Sequence, residues 1–491
     1  MKIPKRDFAL LTVIYLVSAS IRLFLNFSTE FFPGANGAFY LANVRSIIES
    51  GEILFKDFPL IFYLEALLAK LFILIGIAGV EGSIDLACRL FDSFIPALAI
   101  IPAYYLAHRL SNVEENKFTP IVTASISILY ISFLILVSDF QKNSLGIVWL
   151  FGLMLWTHKS MSSKRIADYL ITILFFVLTG ITHFGCFLVT ILYVIILALI
   201  KNIIVKKISI KFTVISISLI IISYIIILLI SPSRLKTVFD FVNNAFRDPV
   251  IILFLQKKPV ISPIDLVNII LTNLIAISAL LFYIKRFQTI TEVNKIFYFS
   301  SIILSLILAF PFIGFEWSQR LTFISYVPAV SLIPFILNNI RTPGTKKIVY
   351  SCLIAVVFFS IVVRINIKPI SNMNRDQFNE LNRLKENLPS DGRVLMVARH
   401  GLEWWASYIL RMPVVRETAL EKVYWERFDY ILFIIQKKGK APFGPTGLFG
   451  PPFREPFLTV GSRKLFDGYY YSLYWSPGSP ADMSVFNERI K

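Results

Sequence analysis

Apolar runs long enough to cross a bilayer, which takes about 20 residues, recur from the N-terminus to residue 366. They lie near 8–26, 89–108, 118–137, 142–158, 167–182, 184–200, 212–231, 263–284, 296–314, 320–339 and 348–366, about 11 predicted transmembrane helices. The stretch from Glu30 to Leu64 interrupts them and is too polar to span. It opens with a Pro33-Gly34 turn, followed by an amphipathic helix pattern from Ala38 to Glu49 that Gly51 can stop; Pro59 starts a second amphipathic run to Gly76. We read that second run as lying along the membrane surface. As a full span it would invert every later connection. Beyond Lys368 the pattern changes to β-like runs at 393–398, 430–435, 457–460 and 469–475, a helix over 376–387 and Pro/Gly-rich turns from Pro442 to Pro452. The expected architecture is an all-α polytopic membrane domain over 1–367, with a first outer loop at 27–88, followed by a small α/β extracytoplasmic domain over 368–491.

Composition sharpens this. Hydrophobic residues make up 56% of the 491 and charged residues 16%, against about a quarter charged in soluble domains, so lipid must solvate much of the chain. The net charge of +18 does not point to nucleic acid, because the Lys and Arg residues sit in short connections between apolar runs. Placed with the N-terminus in the cytoplasm, every second connection is basic: His108, Arg109 and Lys117; Lys159, Lys164 and Arg165; Lys201, Lys206, Lys207 and Lys211; Lys285, Arg286 and Lys295; Arg341, Lys346 and Lys347. That alternation follows the positive-inside rule. The expected location is an integral, multi-pass plasma or inner membrane protein with its C-terminal domain outside. The first apolar run is too long for a cleaved signal and reads as a retained span. Cys88, Cys186 and Cys352 fall in or beside apolar runs and read as packing residues.

The same parity gathers several polar residues on the outer face. Asp139, in Asp139-Phe-Gln-Lys-Asn143, stands at the end of a predicted span, where a carboxylate is costly unless paired or wet. It can bind a divalent ion through oxygen, or pair with Lys142 and cap a helix. His183 breaks two apolar runs and reads either as a hydrogen-bonded turn residue or as a site residue. Arg234, Lys236, Arg247, Lys257 and Lys258 make the loop 231–263 basic, which suits lipid phosphate or pyrophosphate and equally anionic headgroups. Arg320, behind Glu316, reads as a phosphate ligand or as an interfacial Arg that snorkels.

The order Asn36-Gly-Ala-Phe-Tyr40, Arg45, Gly51, Pro59-Leu60-Ile-Phe-Tyr63-Leu64, Arg89-Leu90 and Tyr104-Tyr105-Leu106-Ala107-His108-Arg109-Leu110 resembles the GT-C superfamily of membrane glycosyltransferases. The resemblance is to the branch of dolichyl-phosphate-mannose protein mannosyltransferases and lipid A aminoarabinose transferases. It implies a catalytic position at residue 36, a second outer-face carboxylate at Asp139, substrate contacts from Tyr40 and Arg45, and Arg320, with Glu316 ahead of it, at the lipid-linked phosphate. One departure stands out: the family's catalytic Asp is here Asn36, an amide that can orient a hydroxyl but cannot take a proton near pH 7. Glu30 and Asp57 are the nearest replacement carboxylates, and Asn36-Gly37 can equally be a turn.

The resulting expectation is a glycosyltransferase that moves a sugar from a polyprenyl-phosphate donor to an acceptor lipid, glycan or protein. Asn36, Asp139, Glu30 and Asp57 would be catalytic, and Arg320, Lys257, Lys258, Arg247, Tyr40, Arg45, His183 and Glu316 would bind substrate. Asp139 would hold a divalent cation, Mg or Mn. Its partners would be the lipid-linked sugar, membrane lipids and the acceptor, with no nucleic acid. The alternative is a non-catalytic protein that binds or transports lipid-linked glycans on the same fold.

Overall fold

The computed structural model describes residues 3–111, 116–205, 210–256, 262–437, 442–443, 448–449 and 461–479. The helices are α1 (Lys5–Asn26), α2 (Gly37–Ser50), α3 (Leu60–Leu74), α4 (Val80–Phe94), α5 (Ile100–Leu110), α6 (Thr119–Leu129), α7 (Ile131–Leu134), α8 (Gln141–Ser163), α9 (Ile166–Thr182), α10 (Phe184–Val205), α11 (Ile210–Ile230), α12 (Ser233–Asn244), α13 (Val250–Leu255), α14 (Pro263–Arg286), α15 (Glu292–Leu308), α16 (Phe315–Asn339) and α17 (Pro343–Asn366). The mixed C-terminal part adds α18 (Arg375–Arg383), β1 (Val394–Ala398), α19 (Leu402–Leu410), β2 (Val414–Arg416), α20 (Tyr424–Arg427), β3 (Tyr430–Gln436), β4 (Pro442–Phe443), β5 (Leu448–Phe449), β6 (Arg463–Asp467) and β7 (Tyr471–Ser476). These elements form two compact units. One comprises Met1–Leu25, Lys56–Ile61 and Leu90–Lys368; the other comprises Asn26–Phe55, Phe62–Arg89 and Pro369–Lys491. The loop after α1 therefore belongs largely with the C-terminal residues, a grouping that the sequence-based division at 367 does not contain.

In the first unit every predicted span coincides with a helix or a broken helix, but fewer are long enough to cross a membrane. Among the described residues α1, α10, α14, α16 and α17 qualify by length and composition, and counting the pair Ile217–Ile230 and Arg234–Asn244, bent by 118°, as one broken span gives six. The run at 89–108 is divided where Pro96, which lacks an N–H, opens a 3₁₀ turn between α4 and α5. The run at 118–137 is divided where Tyr130 turns extended. The apolar pair α6–α7 and helix α9 fall short on length, as does α3 with its 15 residues. The coarser result stands: this is a multi-pass, mostly helical membrane protein with a small mixed α/β sheet.

Helix α16 is the buried centre of this unit and packs on α14, α15, α6 and α5. Helix α17 presents Phe358 and Phe359 outward, a face suited to lipid. Cys352 is exposed on that helix, unlike buried Cys88 and Cys186, so it is not the packing residue its surroundings suggested. One ion pair ties the unit's first helices together. Arg22 and Asp92, both fully buried, meet at 2.7 Å. The Arg22 Nε also donates to the Asp92 carbonyl at 2.7 Å and its second nitrogen to Ser144 Oγ at 3.2 Å, while the guanidinium lies 4.8 Å from the Phe133 ring. The other Asp92 oxygen accepts the Ser138 N–H at 2.9 Å. One cation thus links α1, α4, α7 and α8.

The second unit is built on a five-stranded sheet of order β2-β1-β3-β7-β6, with β1 parallel to β2 and β3 and the remaining pairs antiparallel. Leu395, Val397, Leu420, Ile431 and Phe433 form a core on it. Strands β4 and β5 pair separately, and the predicted run at 457–460 lies outside the described residues. Asn374 and Gln377 cap α18 reciprocally. Helix α2 ends at Gly51, whose φ of 82° lets its N–H reach the Ile47 carbonyl.

Removing one member of the Arg22–Asp92 pair leaves a buried charge uncompensated, at a cost of about 3–5 kcal/mol. Asp92→Ala is therefore expected to lower the unfolding temperature in detergent sharply, and the Arg22→Met/Asp92→Leu double variant to lose less than the single one. Thermal unfolding followed by Trp fluorescence checks both.

Candidate functional site

The segment 56–61 returns to the first unit between α2 and α3 and carries Asp57. This carboxylate is 5% exposed. Its Oδ2 accepts from the Lys142 ammonium and, at 3.3 Å, from Arg234; its Oδ1 accepts the Phe58 N–H at 2.8 Å. Phe58 is fully buried and packs 5.9 Å from the Phe184 ring, over which the Arg234 guanidinium also sits. Burial alone would push the Asp57 carboxyl up, but Lys142 and Arg234 together outweigh it and hold the carboxyl below its ordinary value.

His183 joins this group. It is extended between α9 and α10, and its Nδ1 accepts the Cys186 N–H at 3.1 Å, so the proton of the neutral ring is on Nε2. Lys142, Asp57, Arg234 and Arg320 are its charged neighbours. Two of those cations, Lys142 and Arg234, are ion-paired to Asp57, while Arg320, exposed near the start of α16, acts on the ring electrostatically and lies 5.4 Å from the Trp317 ring. That surplus of positive charge, with two guanidiniums able to bind bidentately, suits a phosphate.

Asp139 stands one turn ahead of Lys142. The preceding Ser138 has a left-handed φ of 72°, stabilised by its N–H bond to buried Asp92, so the Arg22–Asp92 pair fixes the backbone that presents Asp139. The turn before α16 is laced to residues 245–249: Gly314 N–H donates to the Ala245 carbonyl at 2.7 Å and Phe315 N–H to the Asp248 carbonyl at 3.0 Å. A Cβ at Gly314 would strike the Arg247 carbonyl. The Arg247 side chain itself is largely exposed, near Asp248, and Glu316 is exposed on the first turn of α16. Lys257 and Lys258 lie outside the described residues.

Four of the sequence candidates belong to the second unit. The Asn36 carbonyl accepts the Phe39 N–H at 3.0 Å as α2 starts. With φ of −93° Asn36 does not take the left-handed turn its Asn-Gly pair suggested; Gly34, at 89°, does. Glu30 pairs with Arg375. Tyr40 is buried against Phe39 and Phe62. Arg45 is buried, stacks 3.8 Å over the Tyr408 ring and pairs with Glu81 at 3.2 Å, so in this unit it packs α2 onto α19. The structure thus brings Asp57, His183 and Arg320 together with Lys142 and Arg234, and places Glu30, Asn36, Tyr40 and Arg45 in the other unit.

Sequence reading missed Asp265. It is 3% exposed at the start of α14. One oxygen accepts from Gln319 at 3.1 Å and the other has no hydrogen-bond partner among the described residues. Asn268, one turn on, accepts from Tyr130 at 2.7 Å. The available signal was Ser262-Pro263-Ile264-Asp265, which looks like an ordinary helix start. A divalent ion finds little here. No three His, Cys, Asp or Glu side chains among the described residues come together to hold one, and the Asp57 oxygens already serve two cations and an N–H.

No protein-family model and no curated protein sequence matches this chain. Solved structures do. The Archaeoglobus fulgidus oligosaccharyltransferase tethered to an acceptor peptide with an NVT sequon is 12% identical, with a TM-score of 0.55 over 87% of this chain and 68% of that one. The same organism's oligosaccharyltransferase AglB, in complex with an inhibitory peptide and a dolichol-phosphate, is 11% identical, with a TM-score of 0.56 over 93% and 75%. The fold is similar to that of this oligosaccharyltransferase. ArnT from Cupriavidus metallidurans, bound to undecaprenyl phosphate, is 10% identical over 96% of this chain and 98% of that one, with a TM-score of 0.48.

A carboxyl held below its ordinary value adds stability above the unfolded group's pKa and loses it as pH falls through the folded value. At neutral pH Asp57→Asn should cost about 3 kcal/mol by leaving Lys142 unpaired. The gap to wild type should begin to narrow only below about pH 4, the ordinary Asp value, and close as pH falls through the lowered folded value, as read from unfolding temperatures of both proteins across that range.

Proposed function

We propose that this protein is a membrane glycosyltransferase that moves a sugar from a polyprenyl-phosphate donor to an extracytoplasmic acceptor. The observation that carries the reading is the group of Lys142, Arg234 and Arg320 around Asp57 and His183, on a fold shared with an enzyme that holds dolichol-phosphate. Phosphate is the leaving group in such a transfer, and fixed cations stabilise the charge that develops on it. Asp57 holds Lys142 and Arg234 in place before the donor arrives. Its ion pairs make it a poor base, since a base works best with a pKa near the working pH.

Asp139 remains the carboxylate for activating the acceptor hydroxyl. Arg247, Lys257, Lys258 and Glu316 would contact the donor headgroup or neighbouring lipid. The alternation of basic connections supports an extracytoplasmic site with the N-terminus in the cytoplasm, remote from nucleotide sugars. A divalent cation, held by Asp139 and donor oxygens, would supply Lewis acidity; the hold of Lys142, Arg234 and Arg320 on the phosphate does not depend on it. The acceptor is a lipid, glycan or protein hydroxyl or amide.

Asn36 favours one other reading, a binding or transport protein for lipid-linked glycans that has lost the base. The two separate in a transfer assay with a polyprenyl-phosphate sugar and membranes containing the protein. We expect transfer by the wild type, with Arg320→Ala and Asp139→Asn each lowering it about a hundredfold. Donor binding without transfer would favour the second reading.

A further inference from the structure

The second unit contains a cavity of about 430 Å³, towards the low end of the roughly 300–1,000 Å³ of small-molecule sites. Part of its lining is aromatic. Phe31 and Phe378 stack at 5.0 Å, Trp405 meets Phe31 edge-on at 6.0 Å, and the indole N–H is anchored on Asn372 at 2.9 Å. Its rim is charged and largely paired: Arg375 with Glu30, and Arg411 with Glu81 at 2.7 Å. The exception is Lys385, which makes no ion pair within 4.0 Å among the described residues, although the cavity is lined by it. Its electrostatic neighbours are Arg411, Arg45 and Glu81. Burial first, and then the two guanidiniums, lower its ammonium from the ordinary lysine value.

These features fit one ligand chemistry. A pyranose ring has apolar C–H faces that lie on aromatic side chains and edge hydroxyls that both donate and accept. Paired Arg and Glu side chains supply acceptors and donors side by side. The cavity's cations Arg45, Arg375, Lys385 and Arg411 outnumber its carboxylates Glu30, Glu81 and Asp85 by one, leaving an anion to be supplied by the ligand. A purely apolar ligand would leave this rim unused, and a nucleotide would bring more negative charge than one surplus cation balances.

We propose that this cavity binds a saccharide bearing a carboxylate, a uronic-acid residue, with its ring on Phe31 and Phe378 and its carboxylate on Lys385. The proposal rests on the glycosyltransferase reading only in making that residue part of the glycan acceptor or product; binding itself needs no donor.

Calorimetric titration of the purified full chain with methyl glucuronoside, methyl glucoside and acetate tests it. We expect the glucuronoside to bind at least about tenfold more tightly than either of the others. Lys385→Ala, an exposed position, should erase the preference over glucoside, and Phe378→Ala should weaken both sugars. No saturable glucuronoside binding, equal binding of glucoside, equal binding of acetate, or an unaltered preference in Lys385→Ala would each overturn the proposal. Because no donor is present in the titration, such a failure leaves sugar transfer, measured separately with the polyprenyl-phosphate donor, untouched.

Discussion

The candidate site hangs on a pair of charges that never meet water. Arg22 and Asp92 are fully buried at 2.7 Å, where each would be strongly destabilising alone. Their remaining hydrogen-bonding capacity is spent on backbone and side chains of α4, α7 and α8 rather than left open. The Asp92 oxygen that does not face Arg22 holds Ser138 in a left-handed conformation. Asp139 follows that residue, and Lys142 follows one turn later. A single buried ion pair thereby sets the backbone that carries Asp139 and, one turn on, Lys142.

The next layer is electrostatic. Lys142 is nearly as buried as Asp57, and each stabilises the charge of the other. Arg234 shares the same carboxylate while keeping part of its guanidinium exposed. An anion approaching Arg234 meets a cation that Asp57 already orients, so little reorganisation is needed there on binding. His183 contributes differently. Its Nδ1 is occupied by the first turn of α10, which fixes the ring and leaves Nε2–H as its donor.

Hydropathy made the helices legible because α-helices that meet lipid must be apolar over their length. It could not show that Pro96 and Tyr130 would break two of the runs, since each break costs only a residue or two of regular pattern. The α2 pattern and its stop at Gly51 were readable from local chemistry. The association of residues 26–55 and 62–89 with the C-terminal sheet was not, because it depends on contacts such as Arg45 over Tyr408, 363 residues apart. In the site, Asp57, His183 and Arg320 were named from the sequence. Lys142 was visible there only as a partner for Asp139, and Asp57 is the partner it takes. Arg22, Asp92 and Asp265 passed unnoticed, because a lone charge in an apolar run shows its role only when its partner, dozens of residues away, is in view.

On this account Lys142, Arg234 and Arg320 form a phosphate site for a polyprenyl lipid. Native mass spectrometry of the purified chain with undecaprenyl phosphate and with undecaprenol addresses it directly, since the two lipids differ only in the group those cations would hold. We expect the phosphate to be retained and the alcohol to be lost, and Arg234→Ala to release the phosphate. Equal retention of both lipids, or retention of the phosphate unchanged in Arg234→Ala, would contradict it.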